Sequence, residues 1–248
     1  MPPNPRSRLR VVLVAPRNPL NIGAAARAMY NFGFASLRVV NPYEVAFREA
    51  KSAVRAAPVL KAAEEFTTVA DAVADCDLVI GSTSVGHREL QHPLRALEPA
   101  ARIIRRRLQS DAVAILFGSE KFGLSNDDLS HCHWLLRIET AAPDQSMNLG
   151  QAVAVCLYEL TRATGQPAAS TKEPKRASAA INEQITVMLL EALERSGYIK
   201  PLTSASSEDK TRRLVRRLNL SQRDSAVVLG MLRQLLWKLR EIPTPGRV

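Results

Sequence analysis

The chain has 248 residues, 46% of them apolar and 23% charged, a balance that excludes wholesale disorder. Its apolar runs are far shorter than the roughly 20 residues of a membrane-spanning helix, Met1–Arg6 lacks the apolar core of a secretory signal, and three cysteines (Cys76, Cys132, Cys156) without paired spacing point to a reducing cytoplasm rather than a disulfide framework. The net charge is +10, from 34 Lys+Arg against 24 Asp+Glu, and it is concentrated late: residues 1–164 carry 19 basic and 16 acidic side chains, residues 165–248 carry 15 and 8. A polyanionic partner, with nucleic acid the commonest, is the obvious reading.

In chain order, residues 1–8 read as a flexible tail. Leu9–Ala15 is a buried-strand pattern. Asn21–Phe32 reads as a helix with Ile22, Ala25, Ala26 and Met29 on one face and Asn21 able to cap it. Ser36–Val40 is a strand stopped by Asn41-Pro42. Leu78–Ile80, Ala112–Phe117 and Trp134–Ile138 are further short apolar runs. Between them, Val59–Phe66, Pro99–Leu108 and Asn148–Thr161 read as helices. This alternation predicts an α/β domain over 9–164, with a mostly parallel sheet covered by helices on both faces. Ligands in such sheets sit beyond the carboxyl ends of strands, so chemistry is sought in the loops that begin at Pro16, Gly81, Gly118 and Glu139.

Residues 165–180 are small, polar and basic with two prolines, the composition of a linker. Residues 181–248 then read as a small all-α extension. Asn182–Ser196 ends at Gly197. Glu208–Leu218 carries Arg212, Arg213, Arg216 and Arg217 on one surface. A last helix is capped by Ser221 with Asp224 and has an apolar stripe of Val228, Met231, Leu232, Leu235 and Leu239.

Three loops carry candidate chemistry. Asn18–Arg27 contains Asn21, a helical glycine and a run of alanines, and places Arg27 one turn after Gly23. Phe117–Asn126 follows a buried strand and contains Gly118, Glu120 and Gly123, with Asn126 able to cap a helix over Asp127–Cys132. Ser146–Val153 opens a long helix with a hydroxyl and amides at its start. There is no GxGxxG, no Walker A spacing and no recognisable Ser/His/Asp set. His131-Cys132-His133 lacks a suitably spaced fourth ligand, so no metal is expected.

Taken together and in order, these loops resemble the three motifs of the SpoU class of RNA 2′-O-ribose methyltransferases, within the SPOUT superfamily. The residues that match are Asn21-Ile22-Gly23 with Arg27 and Phe32-Gly33; Phe117-Gly118, Glu120, Gly123-Leu124 and Asn126; and Ser146-Met147-Asn148-Leu149 with Ala152-Val153. The tail is similar to that of the TrmJ-type tRNA methyltransferases. The resemblance implies a C-terminal trefoil knot in the sheet domain, a homodimer with active sites near the subunit interface, and S-adenosylmethionine held by Thr83, Ser84, Val85, Gly118, Ile138, Ser146, Met147 and Asn148. It implies catalytic roles for Arg27, Asn21, Glu120, Ser146 and Asn148, and tRNA gripped by Arg212, Arg213, Arg216 and Arg217 of the extension. Relatives often carry arginine where Ser119 stands. The substrate implied is the pyrimidine at the first position of the anticodon loop. An rRNA methyltransferase and a non-catalytic RNA-binding protein are the other readings.

Overall fold

A computed structural model of the chain describes residues 4–52, 58–84, 91–141, 146–162, 174–199 and 204–241. The sheet domain runs β1 (Leu9–Val14), α1 (Pro19–Phe32), β2 (Ser36–Val40), α2 (Glu44–Ser52), α3 (Pro58–Lys61), β3 (Glu64–Phe66), α4 (Val69–Ala72), β4 (Leu78–Ser82), β5 (Leu94–Ala96), α5 (Leu97–Arg107), β6 (Val113–Phe117), α6 (Asn126–Ser130), β7 (Trp134–Arg137) and α7 (Leu149–Thr161). Three longer helices follow: α8 (Ala179–Arg195), α9 (Ser204–Leu218) and α10 (Gln222–Glu241). Among the described residues no helix is long and apolar enough to cross a membrane.

The seven strands pair in the order β3-β2-β1-β6-β4-β7-β5, and every pair is parallel. Side chains alternate across a strand, so each apolar run splits between two cores. Leu9, Val11 and Leu13 of β1 face α1, α5 and α7 with Ile22, Met29, Ile104 and Val153. Val12 and Val14 face the other layer with Val69, Leu129 and Ala179. Strand β7 enters between β4 and β5, which are consecutive along the chain, and the chain then returns to lay α7 against α1. That insertion lies in the region where the resemblance implies the knot.

Several boundaries differ from expectation for identifiable reasons. The Val59–Phe66 segment is a short helical turn followed by β3, because Glu64–Phe66 pairs with β2 along the open sheet edge and a backbone ladder overrides local helix propensity. The cap of α1 is Asn18, whose side chain accepts the Leu20 amide at 2.9 Å, with Pro19 at the first helical position. The cap of α6 is Ser125, in a reciprocal box with Asp128, rather than Asn126. In the expected flexible tail, Pro5–Arg8 forms a 3-10 turn, tied down where Arg8 donates to the Leu108 carbonyl at 3.2 Å.

The end of the expected linker is also fixed. The Ala177 amide donates to the Leu220 carbonyl at 3.0 Å, the Gln222 amide to Lys175 at 2.8 Å and the Ala179 amide to Cys76 at 2.7 Å, so α8 starts at Ala179 against the sheet domain. Ile185, Val215, Leu229 and Leu232 form the core of the extension. Ser221 caps α10 as expected, its hydroxyl accepting the Asp224 amide at 3.0 Å. The buried stripe of α10 is Leu229, Leu232 and Leu236, whereas Met231 and Leu235 point outward. The adjacent apolar pairs 231–232 and 235–236 offer two helical faces, and packing chooses one.

Candidate active site

The loops after β1, β4, β6 and β7 meet at the carboxyl edge of the sheet. Around them lies a cavity of about 420 Å³ whose walls include Thr83, Ser84, Gly118, Glu120, Ile138, Ser146 and Met147. Six of the eight expected donor-binding residues therefore line one space. Val85 lies outside the described residues. Asn148 is not in the wall; it caps α7, its side-chain oxygen accepting the Gln151 amide at 3.3 Å.

The three sequence loops are joined by a chain of polar contacts. Asn148 donates from Nδ2 to Asn21 Oδ1 at 2.8 Å, and Asn21 donates from Nδ2 to Glu120 Oε1 at 2.9 Å. Glu120 also accepts the Asn18 amide on Oε1 and the Arg17 amide on Oε2, both at 3.2 Å. Asn21 is thus a buried bridge one turn inside α1 rather than its cap. Burial works against the Glu120 carboxylate, but the Asn21 bond and the loop amides outweigh it and hold its pKa below the ordinary value. Such a carboxylate serves as a fixed negative acceptor rather than as a proton reservoir at neutral pH.

Glycine is required at two places by close approach. A Cβ on Gly118 would overlap the backbone of Gly123 and Leu124, so only glycine lets the chain double back beside the cavity; Gly123 itself has φ +67°. In α7, a Cβ on Gly150 would meet Ala24 Cβ at 2.6 Å, so its poor helix propensity is offset by close packing of α7 on α1. Ser119 is buried, and its hydroxyl accepts the Phe122 amide at 3.3 Å, closing the turn from within.

Arg27 lies on the exposed side of α1 and is not part of the cavity wall. Within one chain the structure does not bring it to Glu120, whose partners are Asn21 and the loop amides. Ser82, Leu136, Thr140, Leu149 and Ala152 line the cavity but were not among the expected residues. Ser82 ends β4, where the strand-end rule points; the apolar ones read in sequence as ordinary core.

Two expected RNA-gripping residues need correcting. Arg212 and Arg216 are 5% and 1% exposed, and both pair with Glu183 of α8, so they face inward and are not free for phosphates. Arg213 is half-buried and Arg217 exposed. The helical period runs opposite to the expected single arginine face: positions 212 and 216 share one side of α9, and 213 and 217 a neighbouring one. His131-Cys132-His133 belongs to the core. Burial, with Arg212 and Arg216 nearby, lowers His131 to about 3; burial and Arg216 lower His133 to about 3, and His133 Nδ1 accepts the Val79 amide at 3.1 Å. Among the described residues no group of three or more His, Cys, Asp or Glu could hold a metal ion.

The all-parallel sheet with a late strand slotted between two earlier ones carries a glycine-cradled cavity at its carboxyl edge, and similarity to known proteins gives its class, a methyltransferase. The family model described as the SpoU rRNA Methylase family matches residues 8–158, and the chain belongs to that family. It is 32% identical over 233 residues to the tRNA (cytidine/uridine-2′-O-)-methyltransferase TrmJ of Klebsiella pneumoniae, covering 90% of this chain and 94% of that protein. It is 33% identical to the tRNA (cytidine/uridine/adenosine-2′-O-)-methyltransferase TrmJ of Pseudomonas aeruginosa, over 91% of this chain and 92% of that one. The crystal structure of TrmJ from Z. mobilis ZM4 superposes with a TM-score of 0.78 at 31% identity, covering 91% of this chain and 98% of that chain.

Proposed function

We propose that the protein, as a homodimer, methylates the ribose 2′-hydroxyl of the pyrimidine at the first position of a tRNA anticodon loop, using S-adenosylmethionine. The observation that carries this reading is the Asn148–Asn21–Glu120 chain, which joins three distant sequence segments beside one cavity. Similarity to the TrmJ proteins over nine-tenths of the chain supports tRNA as the substrate class.

The cavity suits the donor. Its volume falls in the range of roughly 300–1,000 Å³ typical of small-molecule sites, and Gly118 leaves a cradle that a Cβ would fill. Leu136, Ile138, Leu149 and Ala152 offer an apolar wall for a flat heterocycle, and Ser82, Thr83, Ser84 and Ser146 offer hydroxyls. When bound, S-adenosylmethionine supplies an activated methyl group, so the protein has mainly to position, desolvate and remove a proton. Asn21, Glu120 and Asn148 fix the loops that carry the site, and Ser146 completes its wall.

Arg27 is assigned to the substrate phosphate. A guanidinium seldom gives up its proton, so Arg27 holds the phosphate and the phosphate takes the hydroxyl proton. Exposed Leu20 and Tyr30 on α1 and Tyr158 on α7 support a partner subunit covering this side, bringing Arg27 to a site that its own chain does not complete. Arg217 and Arg213 contact tRNA phosphates outside the pocket.

Incubation of the protein with methyl-labelled donor and separate tRNA and rRNA pools tests the reading. Label in tRNA, mapped to a ribose at the first anticodon-loop position, is the result expected. Label in rRNA alone would assign the alternative substrate, and binding of RNA without transfer would assign a non-catalytic protein.

A further inference from the structure

We infer that Arg212, although it belongs to the helical extension, is a positioning residue for the methyl-donor cavity, acting through α6. The inference rests on the function proposed above. One guanidinium joins three helices. Its Nε donates to both Glu183 oxygens of α8 at 3.1 Å, and its Nη2 to Glu208 of α9 at 2.5 Å. Its Nη1 reaches across to α6, donating to Ser130 Oγ at 3.0 Å and to Asp127 Oδ1 at 3.4 Å. Ser130 is fully buried, and its own hydroxyl donates to the Asp127 carbonyl at 2.6 Å.

What Arg212 holds is the far end of the cavity turn. Helix α6 has only five residues, too few to be stable by itself. Its cap, Ser125, follows directly on Leu124, and Gly123 and Leu124 are both cavity wall. Gly123 is bridged to Ser119, next to Glu120, its amide donating to the Ser119 carbonyl at 2.8 Å. At the other end of α6, Cys132 packs so closely on Gly81 that a Cβ there would lie 2.9 Å from its sulfur, and Gly81 precedes Ser82 of the wall. A displaced α6 therefore carries both sides of the cavity with it. Arg213 and Arg217 extend from the same helix toward the solvent side, so the helix that meets RNA is the one that braces the donor pocket.

The full-length chain with Asp127→Ala and Ser130→Ala together removes both side-chain acceptors at the α6 end of the contact and leaves Arg212 paired with Glu183 and Glu208. Loss of charge-assisted bonds of this kind predicts a rise of about tenfold in the S-adenosylmethionine Kd by calorimetry. Backbone amides of 119–126 should exchange faster in the ligand-free protein, while protection in α8–α10 and tRNA affinity in filter binding stay within about twofold of wild type. Arg212→Met should raise the donor Kd at least as far, and Arg212→Lys should recover part of it. If wild type binds the donor and both the paired variant and Arg212→Met bind it equally well, Arg212 only docks the extension and the inference is wrong. If wild type itself binds no donor, the proposed function falls, and the inference with it.

Discussion

Glu120→Gln is the substitution that probes the site most sharply. The carboxylate accepts three N–H groups, two on Oε1 and one on Oε2. A glutamine can present its single oxygen to the Asn18 and Asn21 side or to the Arg17 side, but not to both. Whichever way it turns, its NH2 opposes an N–H donor and at least one charge-assisted bond is lost. Such bonds contribute about 1.5–3 kcal/mol each, and half-exposure of Glu120 brings the expected loss to about 2 kcal/mol. If the loop is needed only in its ordered form, that corresponds to a fall in kcat/KM of roughly 30-fold. Asn21→Ala removes the bond to Glu120 from its other end, so the double variant should lose clearly less than the sum of the two single losses. Initial rates of methyl transfer to tRNA at saturating donor supply the four values of the cycle. Wild-type kcat/KM in Glu120→Gln, or fully additive losses, would refute the view that these residues act as one unit.

Other outcomes follow from the same geometry. Gly118→Ala puts a methyl into backbone that cannot yield, so urea unfolding should show a loss near the upper end of the ~1–3 kcal/mol range for overpacking, together with weakened donor binding; unchanged midpoint and affinity would contradict the close approach. Arg217→Ala and Arg213→Ala should each weaken tRNA binding and reduce the slope of log K against log salt by about one, whereas a slope unchanged in both would remove them from the RNA surface. His131 and His133 stay neutral in the fold down to about pH 3 but take up protons near pH 6.5 when unfolded. The unfolded state thus binds more protons below pH 6.5, and stability falls as pH falls through that window, by about 2 kcal/mol per histidine at pH 5. Equal urea midpoints at pH 7.5 and pH 5 would contradict this.

The sheet was legible because its strands are short apolar runs of fixed period, and β1, β2, β6 and β7 fall within a residue or two of where periodicity puts them. β3 and β5 were not legible: three-residue edge strands carry too little pattern, and pairing with β2 and β7 creates them. Asn21, Glu120 and Asn148 could be singled out by residue type and place, but not their mutual bonds, because contacts across 99 and 127 residues depend on the tertiary fold. The arginine pairs failed for a different reason. Composition reports how many charges a helix has, but Glu183, 29 residues before Arg212 on another helix, decides which of them turn inward.

A crystal structure of the protein with S-adenosylhomocysteine tests most directly whether the loops after β4, β6 and β7 form the methyl-donor pocket. The product should lie against Thr83, Gly118, Ile138 and Met147, with Glu120 still held by Asn21 and Arg27 of one subunit directed at the site. Product bound elsewhere on the chain, or a filled cavity with Arg27 remote in both subunits, would contradict the account.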